Sequence, residues 1–384
     1  MFTSLIKFRN FKDAKQNKKV EKNLKFILNQ KNQVLKSLSK LYKDNHKARL
    51  IKNFSKKLDY RIIGMGGSIL GAQAIYDFLK NKIKSNFYFV DNLQVDNLKK
   101  GKKNYNNLII SKSGNTIETI VNLNFLIKKG DKNLILTENK QNSLREIAKQ
   151  LKAEVIDHNN YIGGRYSVLS EVGMLPAELM GLKSSKFRQL NSLIQNKHFL
   201  NSLIANVNSI LFYIKQKKFN SVIINYDEKS ESLFKWYQQL LAESLGKKKT
   251  GILPIISNMP KDNHSVMQLY LDGFKNNFYT FFYVNDKDSN KINNVKLLSD
   301  QRYLKNKTIS EIIYSQKKAS EKVFKNKNIP FRSFEINKRN ENSLGELFCF
   351  FILETILIGK CLDLNPYDQP AVELIKKETK KNLI

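Results

Sequence analysis

Short apolar runs alternate with stretches of helical periodicity from about residue 60 onward. This alternation is typical of βαβ units, because parallel strands need a crossover connection that is usually a helix. The pattern therefore predicts an α/β fold on parallel sheets. The runs that we interpret as strands are residues 60–63, 86–90, 107–110, 133–136, 221–226, 251–255, 278–283 and 330–335.

The same pattern occurs twice, which predicts two doubly wound parallel-sheet domains, each an αβα sandwich. A length of 384 residues is enough for two domains with proper cores. Basic, amphipathic sequence precedes them, and a further helical segment follows them. The predicted units are an N-terminal helical extension (1–55), two domains (56–190 and 191–345) and C-terminal helices (346–384).

Composition excludes several classes of protein. The most apolar stretch, residues 348–358, contains a glutamate and is far shorter than the roughly 20 residues that span a bilayer. The N-terminus lacks the apolar core of a signal peptide, so we expect a cytoplasmic protein without a membrane partner. Two cysteines and four scattered histidines do not have the spacing of a metal site, and we expect no metal and no cofactor.

The chain is strongly basic, with 67 Lys and Arg against 34 Asp and Glu and a formal net charge of +33. Such a charge makes nucleic acid the first partner to consider. The lysines, however, are spread along the whole sequence rather than grouped. This argues against a nucleic-acid partner and favours a general attraction of small anionic substrates.

Two strand-to-helix turns have the composition of anion sites. The first contains Gly64, Gly66 and Gly67, which bring backbone amides to a helix N-terminus, although a tight turn needs glycine for purely structural reasons as well. The second reads Ser-Lys-Ser-Gly-Asn-Thr over residues 111–116. Three hydroxyls beside a helix N-terminus suit a phosphate that is held without being attacked, and an N-cap is the alternative.

Glu243 falls on the apolar stripe of the predicted helix 230–245, in the last turn before Gly246. Burial and the helix dipole both disfavour an ionised carboxylate there, which suits a general base. A structural glutamate paired with a lysine is the alternative. Arg165 follows two glycines in a turn, where its guanidinium can face an oxyanion or can be an ordinary surface group.

Two further segments contain polar groups at helix starts. His264 begins a predicted helix whose dipole favours the neutral imidazole, although a lone histidine is more often structural. Gln369 and Lys376 lie seven residues apart in a C-terminal helix and so share one face.

Six stretches in this order resemble the glucose-6-phosphate isomerase family, from about residue 60 to residue 376. The family's paired sugar-isomerase (SIS) domains correspond to the two α/β units. The stretches that resemble its signatures are residues 64–68, 111–119, 163–167, 239–247, 264–269 and 368–376.

The resemblance implies a reversible isomerisation of glucose 6-phosphate and fructose 6-phosphate through a cis-enediol(ate), in glycolysis and gluconeogenesis. It implies that Arg165 stabilises the enediolate, that Glu243 moves the proton, and that His264 and Lys376 assist ring opening. The implied substrate contacts are Gly67, Ser68, Ser111, Lys112, Ser113, Thr116 and Gln369. A homodimer is also implied, in which each site takes His264 from the partner subunit.

Two other functions stay open at this point. The loop over residues 111–116 is similar to that of compact isomerases that also accept mannose 6-phosphate. A bifunctional phosphoglucose/phosphomannose isomerase is therefore one alternative. A non-catalytic SIS-domain regulator that binds sugar phosphates is the other. Such a regulator needs the phosphate loop but has no use for Glu243, Arg165 and Lys376 together.

Overall fold

The computed structural model describes residues 3–12, 17–54, 59–93, 104–286, 289–293 and 300–384. The strands in these ranges are β1 (Ile6–Arg9), β2 (Asp59–Gly64), β3 (Asn86–Val90), β4 (Asn106–Ile110), β5 (Lys132–Glu138), β6 (Glu154–His158), β7 (Asn220–Asn225), β8 (Leu253–Asn258), β9 (Asn277–Val284) and β10 (Phe331–Ile336).

The α-helices surround and separate two sheets. They are α1 (Lys18–Asn29), α2 (Gln33–Ser37), α3 (Ala48–Phe54), α4 (Leu70–Leu79), α5 (Ile117–Leu126), α6 (Ser143–Leu151), α7 (Glu171–Leu179), α8 (Leu190–Gln195), α9 (Lys197–Lys215), α10 (Glu231–Leu245), α11 (Met267–Asp272), α12 (Ile309–Asn326), α13 (Glu341–Cys361) and α14 (Val372–Leu383).

The first sheet is fully parallel, in the order β3-β2-β4-β5-β6. Its central strand β4 is buried at every position, as expected for a parallel strand covered by helices on both faces. The second sheet has the order β1-β10-β9-β7-β8 and is parallel except for β1. The predicted α/β class with two parallel sheets is confirmed, and all eight predicted strands overlap with observed ones.

The predicted helical extension over residues 1–55 is wrong at Ile6–Arg9, which form β1. This strand pairs antiparallel with β10, at the edge of the second sheet. The N-terminal segment therefore pairs with a strand that lies more than 300 positions later in the sequence. Strand β6 was not predicted, and the predicted boundary at residue 345 falls inside the continuous helix α13.

Helix α13 is the central element of the core. Its 21 residues are almost all buried, and its side chains pack against α1, α9 and α10. A helix that is apolar all round must be covered on every side, and here the neighbouring helices cover it. No helix in the described ranges combines the length and apolarity that crossing a membrane requires.

A buried ion pair fixes α10 against this core. Arg332 on β10 and Glu354 on α13 are fully buried and in contact, and the second carboxylate oxygen of Glu354 accepts a hydrogen bond of 2.7 Å from the Tyr237 hydroxyl. Asn206 also contacts both charged groups. Because a buried charge without partners is strongly destabilising, this network holds Tyr237, and with it α10, in one position.

Two glutamates of α13 have opposite pKa shifts. Burial raises the pKa of Glu346 to about 7, although a hydrogen bond of 2.7 Å from the Thr3 hydroxyl offsets part of the effect. Burial also opposes ionisation of Glu341. There the hydrogen bond and charge of Lys82, with Nζ at 2.6 Å, outweigh burial and hold the pKa of Glu341 below its ordinary value.

These shifts predict a pH-dependent stability. The folded-state pKa of Glu346 lies above the ordinary value of 4.5, so the folded protein binds an extra proton between about pH 4.5 and 7. The free energy of unfolding should therefore fall as pH rises through this window. Glu346→Gln should match wild type near pH 4.5 and exceed its stability near pH 8, by up to about 3 kcal/mol.

Urea unfolding at about pH 4.5 and about pH 8 measures this difference. Glu341→Gln is the matched control on the same helix. It should lose stability near pH 8, because the folded state there holds an ionised carboxylate paired with Lys82. Equal stabilities of Glu346→Gln and wild type near pH 8 would contradict the raised pKa of Glu346.

Candidate active site

Two loops of the first sheet lie side by side at the carboxyl ends of its strands. β2 and β4 are parallel neighbours, and Gly64 at the end of β2 lies opposite Ile110 at the end of β4. The connection after β2 leads to β3 on one side, and the connection after β4 leads to β5 on the other. Ligands bind in the crevice at such a switch point of an open α/β sheet.

The glycine turn after β2 is packed too closely for any other residue. Gly66 has φ +54°, in the left-handed region that favours glycine. A Cβ atom on Gly67 would lie 2.1 Å from the carbonyl carbon of Gly164, and one on Gly66 would lie 2.8 Å from Nε2 of Gln239. The turn therefore abuts both the segment that leads to Arg165 and helix α10, and half-buried Ser68 lies in the same turn.

The hydroxyl loop after β4 is residues 111–116. Ser111 is buried, and its Oγ lies 2.9 Å from Oγ1 of Thr116, the residue at the N-cap position of α5. Gly114 has φ +69°, and a Cβ atom there would lie 2.1 Å from Oδ1 of Asn142. Ser113 is exposed, and its hydroxyl accepts a hydrogen bond of 3.3 Å from the Asn115 N–H. The loop thus brings three hydroxyls close to the N-terminus of α5, the kind of position where proteins bind anions.

Lys112 has partners on the far side of this loop. Its Nζ lies 3.3 Å from a carboxylate oxygen of Glu138 and donates a hydrogen bond of 2.8 Å to the Asn160 carbonyl oxygen. The positive charge therefore faces the ends of β5 and β6. The expected contact of Lys112 with a phosphate stays a prediction.

Arg165 is 1% exposed and has an acceptor for each of its five N–H donors. The acceptors are Ser244 Oγ at 2.8 Å, Glu243 Oε2 at 3.2 Å, Gln369 Oε1, the Pro366 carbonyl oxygen at 2.7 Å and the Asp368 carbonyl oxygen at 2.9 Å. These acceptors come from α10 and from the segment that follows α13. One guanidinium therefore joins the first domain, α10 and the C-terminal segment.

Glu243 lies in the last turn of α10, as predicted, but it is less buried than predicted. Its side chain is 29% exposed. Oε2 contacts Arg165, and Oε1 accepts a hydrogen bond of 2.9 Å from Nε2 of Gln239. The structural alternative of a pairing with a lysine is wrong, because the cation beside this carboxylate is Arg165.

The C-terminal segment is fixed by a second set of contacts. The Tyr166 hydroxyl lies 3.0 Å from the Pro366 carbonyl oxygen, and Lys247 forms an ion pair of 2.6 Å with Asp368. These contacts hold the exposed residue Gln369 against Arg165. The structure thus brings together Arg165, Glu243 and Gln369.

His264 and Lys376 lie apart from this cluster. His264 is exposed in the short 3-10 turn Lys261–His264 after β8, and α11 begins only at Met267. Lys376 lies on α14, which has no buried residue, and its Nζ pairs at 2.6 Å with Glu373. Neither side chain is in contact with Arg165 or Glu243 within this chain.

Sequence reasoning missed two groups that contact the charged pair. Ser244 is buried, accepts from Arg165 Nε and lies 2.8 Å from the Tyr166 hydroxyl. Gln239 lies four residues before Glu243 and so on the same face of α10. That spacing was a usable signal for Gln239. No sequence signal indicated Ser244, because its partners Arg165 and Tyr166 are distant in sequence.

One cluster elsewhere has the donor types of a metal site. Ligand atoms of Asp44, His46 and Glu178 lie within 4.8 Å of one another. Arg188 donates to both carboxylate oxygens of Asp44, at 2.6 and 2.7 Å, and His46 lies 2.9 Å from Glu178. The protein's own cation thus already neutralises Asp44, and the cluster is not in contact with Arg165 or Glu243.

Comparisons with known proteins show the family of the chain. The sequence matches the model of the family described as phosphoglucose isomerase over residues 12–383. It is 36% identical over 335 residues to a glucose-6-phosphate isomerase from Methanocaldococcus jannaschii, and the match covers 82% of each chain.

Two solved structures share the fold. A hypothetical protein from Thermus thermophilus superposes with a TM-score of 0.83 at 22% identity, covering 95% of this chain and 94% of that one. A glucose-6-phosphate isomerase from Chlamydia trachomatis superposes with a TM-score of 0.72 at 18% identity, covering 88% of this chain and 72% of that one.

Proposed function

The chain belongs to the phosphoglucose isomerase family and is an aldose–ketose isomerase that interconverts glucose 6-phosphate and fructose 6-phosphate, and we propose that Glu243 and Arg165 form its proton-transfer centre. The observation that carries this proposal is the contact of 3.2 Å between the partly exposed Glu243 carboxylate and a guanidinium that is otherwise completely buried. Enediolate chemistry needs a base that moves the proton and a fixed positive charge beside it that stabilises the oxyanion.

The phosphate group of the substrate is bound by the hydroxyl loop. Ser111, Ser113 and Thr116 offer hydroxyls at the N-terminus of α5, where the helix dipole favours a dianion. Lys112 adds long-range positive charge from its position beside Glu138. Gly67 and Ser68 contact the sugar from the neighbouring turn, because the two loops share one edge of the sheet.

The reaction itself is a proton transfer between neighbouring carbons. In the open-chain aldose, Glu243 takes the proton from C2, the C–H electron pair forms the C1–C2 double bond, and O1 becomes negatively charged. Return of that proton to C1, with transfer of the hydroxyl proton from O2 to O1, gives the ketose and regenerates the carboxylate. Arg165 stabilises the oxyanion, and a buried cation does so more strongly than one in water.

Gln369 lies along the substrate and exchanges partners on binding. Its Oε1 holds one Nη1 donor of Arg165 in this chain, and the side chain is exposed. When Gln369 turns toward the sugar, that donor becomes available to a substrate oxygen. Gln369 thus keeps the guanidinium satisfied between turnovers, which a buried cation requires.

Ring opening is assisted by His264 and Lys376, and the enzyme is a homodimer. Both side chains are exposed in the single chain, which leaves them available to a site completed by a second copy. In this dimer the partner subunit's His264 reaches the sugar ring. The cytoplasmic location stays a prediction.

The alternative of a non-catalytic regulator is wrong, because the chain belongs to an isomerase family. A protein that only recognises phosphate has no need of the contact between Glu243 and Arg165. It also has no need of a partly exposed carboxylate at the end of an otherwise apolar helix face. The loop sequence 111–116 resembles that of isomerases that also accept mannose 6-phosphate. Mannose 6-phosphate is therefore the second substrate to assay.

Glu243→Gln should lower turnover about 10²- to 10⁴-fold, because it removes a base and keeps the size of the side chain. Affinity for a phosphorylated inhibitor should change little, since the hydroxyl loop is untouched. A coupled assay, inhibitor titration and exchange of the C2 hydrogen in deuterated water measure the three quantities.

Glu231→Gln is the matched control, because Glu231 lies on the same helix in an exposed pair with Lys235 at 3.0 Å. It should turn over at the wild-type rate, since such pairs contribute little. Turnover of Glu243→Gln within a few-fold of wild type, with binding intact, would make Glu243 a structural residue.

The proposed dimer predicts complementation between two inactive variants. Mixed dimers of Glu243→Gln and His264→Ala contain one site with both native residues, because each site takes its glutamate from one chain and its histidine from the other. Activity should return after subunit exchange, to at most about a quarter of wild type on statistical grounds with independent sites.

Mass spectrometry of differently labelled chains confirms that subunits have exchanged. If mixed dimers form and no activity returns, the assignment of the partner subunit's His264 to the site is wrong.

A further inference from the structure

Three loops of the second domain meet at one edge of its sheet. The loops 216–219, 273–276 and 327–330 precede β7, β9 and β10, which are parallel neighbours. The Asn220 N–H donates to the Asn276 carbonyl oxygen at 3.3 Å, and the Tyr279 N–H donates to the Pro330 carbonyl oxygen at 3.0 Å. The loops and their flanking residues therefore form one continuous surface.

We call this the amino-edge surface. It consists of Phe212, Lys215, Lys217, Lys218, Phe219, Phe274, Lys275, Lys325 and Lys327. None of these residues belongs to the proposed active site.

The amino-edge surface concentrates positive charge. The segments 212–220, 271–277 and 323–330 contain six lysines and a single carboxylate, Asp272. Five of the six lysines are exposed, and none forms an ion pair within the described ranges. Burial and the neighbouring charge of Lys275 lower the pKa of Lys218. An anion here would therefore relieve repulsion between cations that the protein leaves unneutralised.

Two grooves on this surface are lined by cations. One, of about 390 Å³, is lined by three lysines, by Phe274 and by one carboxylate, that of Asp272; the lysines are Lys218, Lys275 and Lys327. The other, also of about 390 Å³, is lined by Arg9 and Lys325. The loop residues 328–330 line both grooves, so the grooves lie on either side of one loop. The surface thus has two neighbouring grooves rather than a single-anion pocket.

Three phenylalanines of the amino-edge surface are exposed, and Phe274 lines a groove together with lysines. Phe212, Phe219 and Phe274 are 42%, 41% and 55% exposed. Exposed aromatic rings are costly in water and useful where they stack on bases. Proteins that bind single-stranded nucleic acid without sequence preference combine cationic grooves with aromatic rings.

We propose that the amino-edge surface binds single-stranded nucleic acid, with its lysines on the phosphates and its exposed phenylalanines on the bases. A membrane surface fits less well, because these aromatic residues lie on loops and one helix end rather than on one apolar helix face. An acidic protein would use the lysines but would give the rings no stacking partner.

Binding of a fluorescent 12-nucleotide oligouridine RNA to the full chain tests the proposal. The test variant replaces Lys275, Lys325 and Lys327 by Gln, and the control replaces Lys84, Lys129 and Lys149, which are exposed on the first domain. Removing three phosphate contacts should weaken binding about 10-fold or more and should reduce the slope of log affinity against log salt by about 2. The control variant should stay within about two-fold of wild type, and both variants should keep wild-type isomerase activity.

Phe274→Ala separates base stacking from charge, with Phe125→Ala, 49% exposed on α5, as its matched control. Phe274→Ala should bind the RNA about 5-fold or more weakly and should bind heparin, a polyanion without bases, as wild type does. The proposal is overturned if the control triple variant weakens RNA binding as much as the test variant. It is also overturned if Phe274→Ala binds RNA unchanged, or if phosphatidylglycerol vesicles bind in place of the RNA.

Discussion

The site depends on one buried cation. Arg165 has no access to water, so each of its donors needs a protein acceptor, and leaving one unmet is strongly destabilising. Its acceptors lie on α10 and on the segment after α13, more than 70 residues away in sequence. The guanidinium can be satisfied only when both have docked on the first domain. Completion of the fold and assembly of the charged pair are therefore the same event.

Helix α10 must be rigid for this arrangement to work. Tyr237, in the middle of the helix, is tied to the buried pair of Arg332 and Glu354, and Ser244, in its last turn, is tied to Arg165. Glu243 lies between a fixed cation and the open crevice, with Gln239 on its second oxygen. Rotation of α10 would break the contacts of both Tyr237 and Ser244, so the position of the carboxylate is set by the core rather than by the ligand.

Much of the fold could be predicted from the sequence, because apolar periodicity is a local signal. The missed strand β1 has only four residues and exists because β10 offers it an edge. No local pattern reports that partner. Strand β6 has two buried residues among charged neighbours, too few for a periodicity to stand out.

The site was predictable only where its signals are local in sequence. The predicted glycine and hydroxyl loops do follow β2 and β4, and Glu243 does lie in the last turn of α10, while their roles stay predictions. The acceptors of Arg165, by contrast, come from segments far from it in sequence, so neither its complete burial nor its contact with Ser244 has a sequence signature. His264 and Lys376 entered through the family resemblance, and in the single chain they lie exposed and apart from the charged pair.

The central claim is that Arg165 and Glu243 act as one unit. A double-mutant cycle of turnover with Arg165→Lys, Glu243→Gln and the combined variant measures this directly. Groups that act together are strongly non-additive, so the double variant should be at most a few-fold slower than the slower single variant. If the two rate losses simply multiply in the double variant, the residues act independently and the account of a shared proton-transfer centre is wrong.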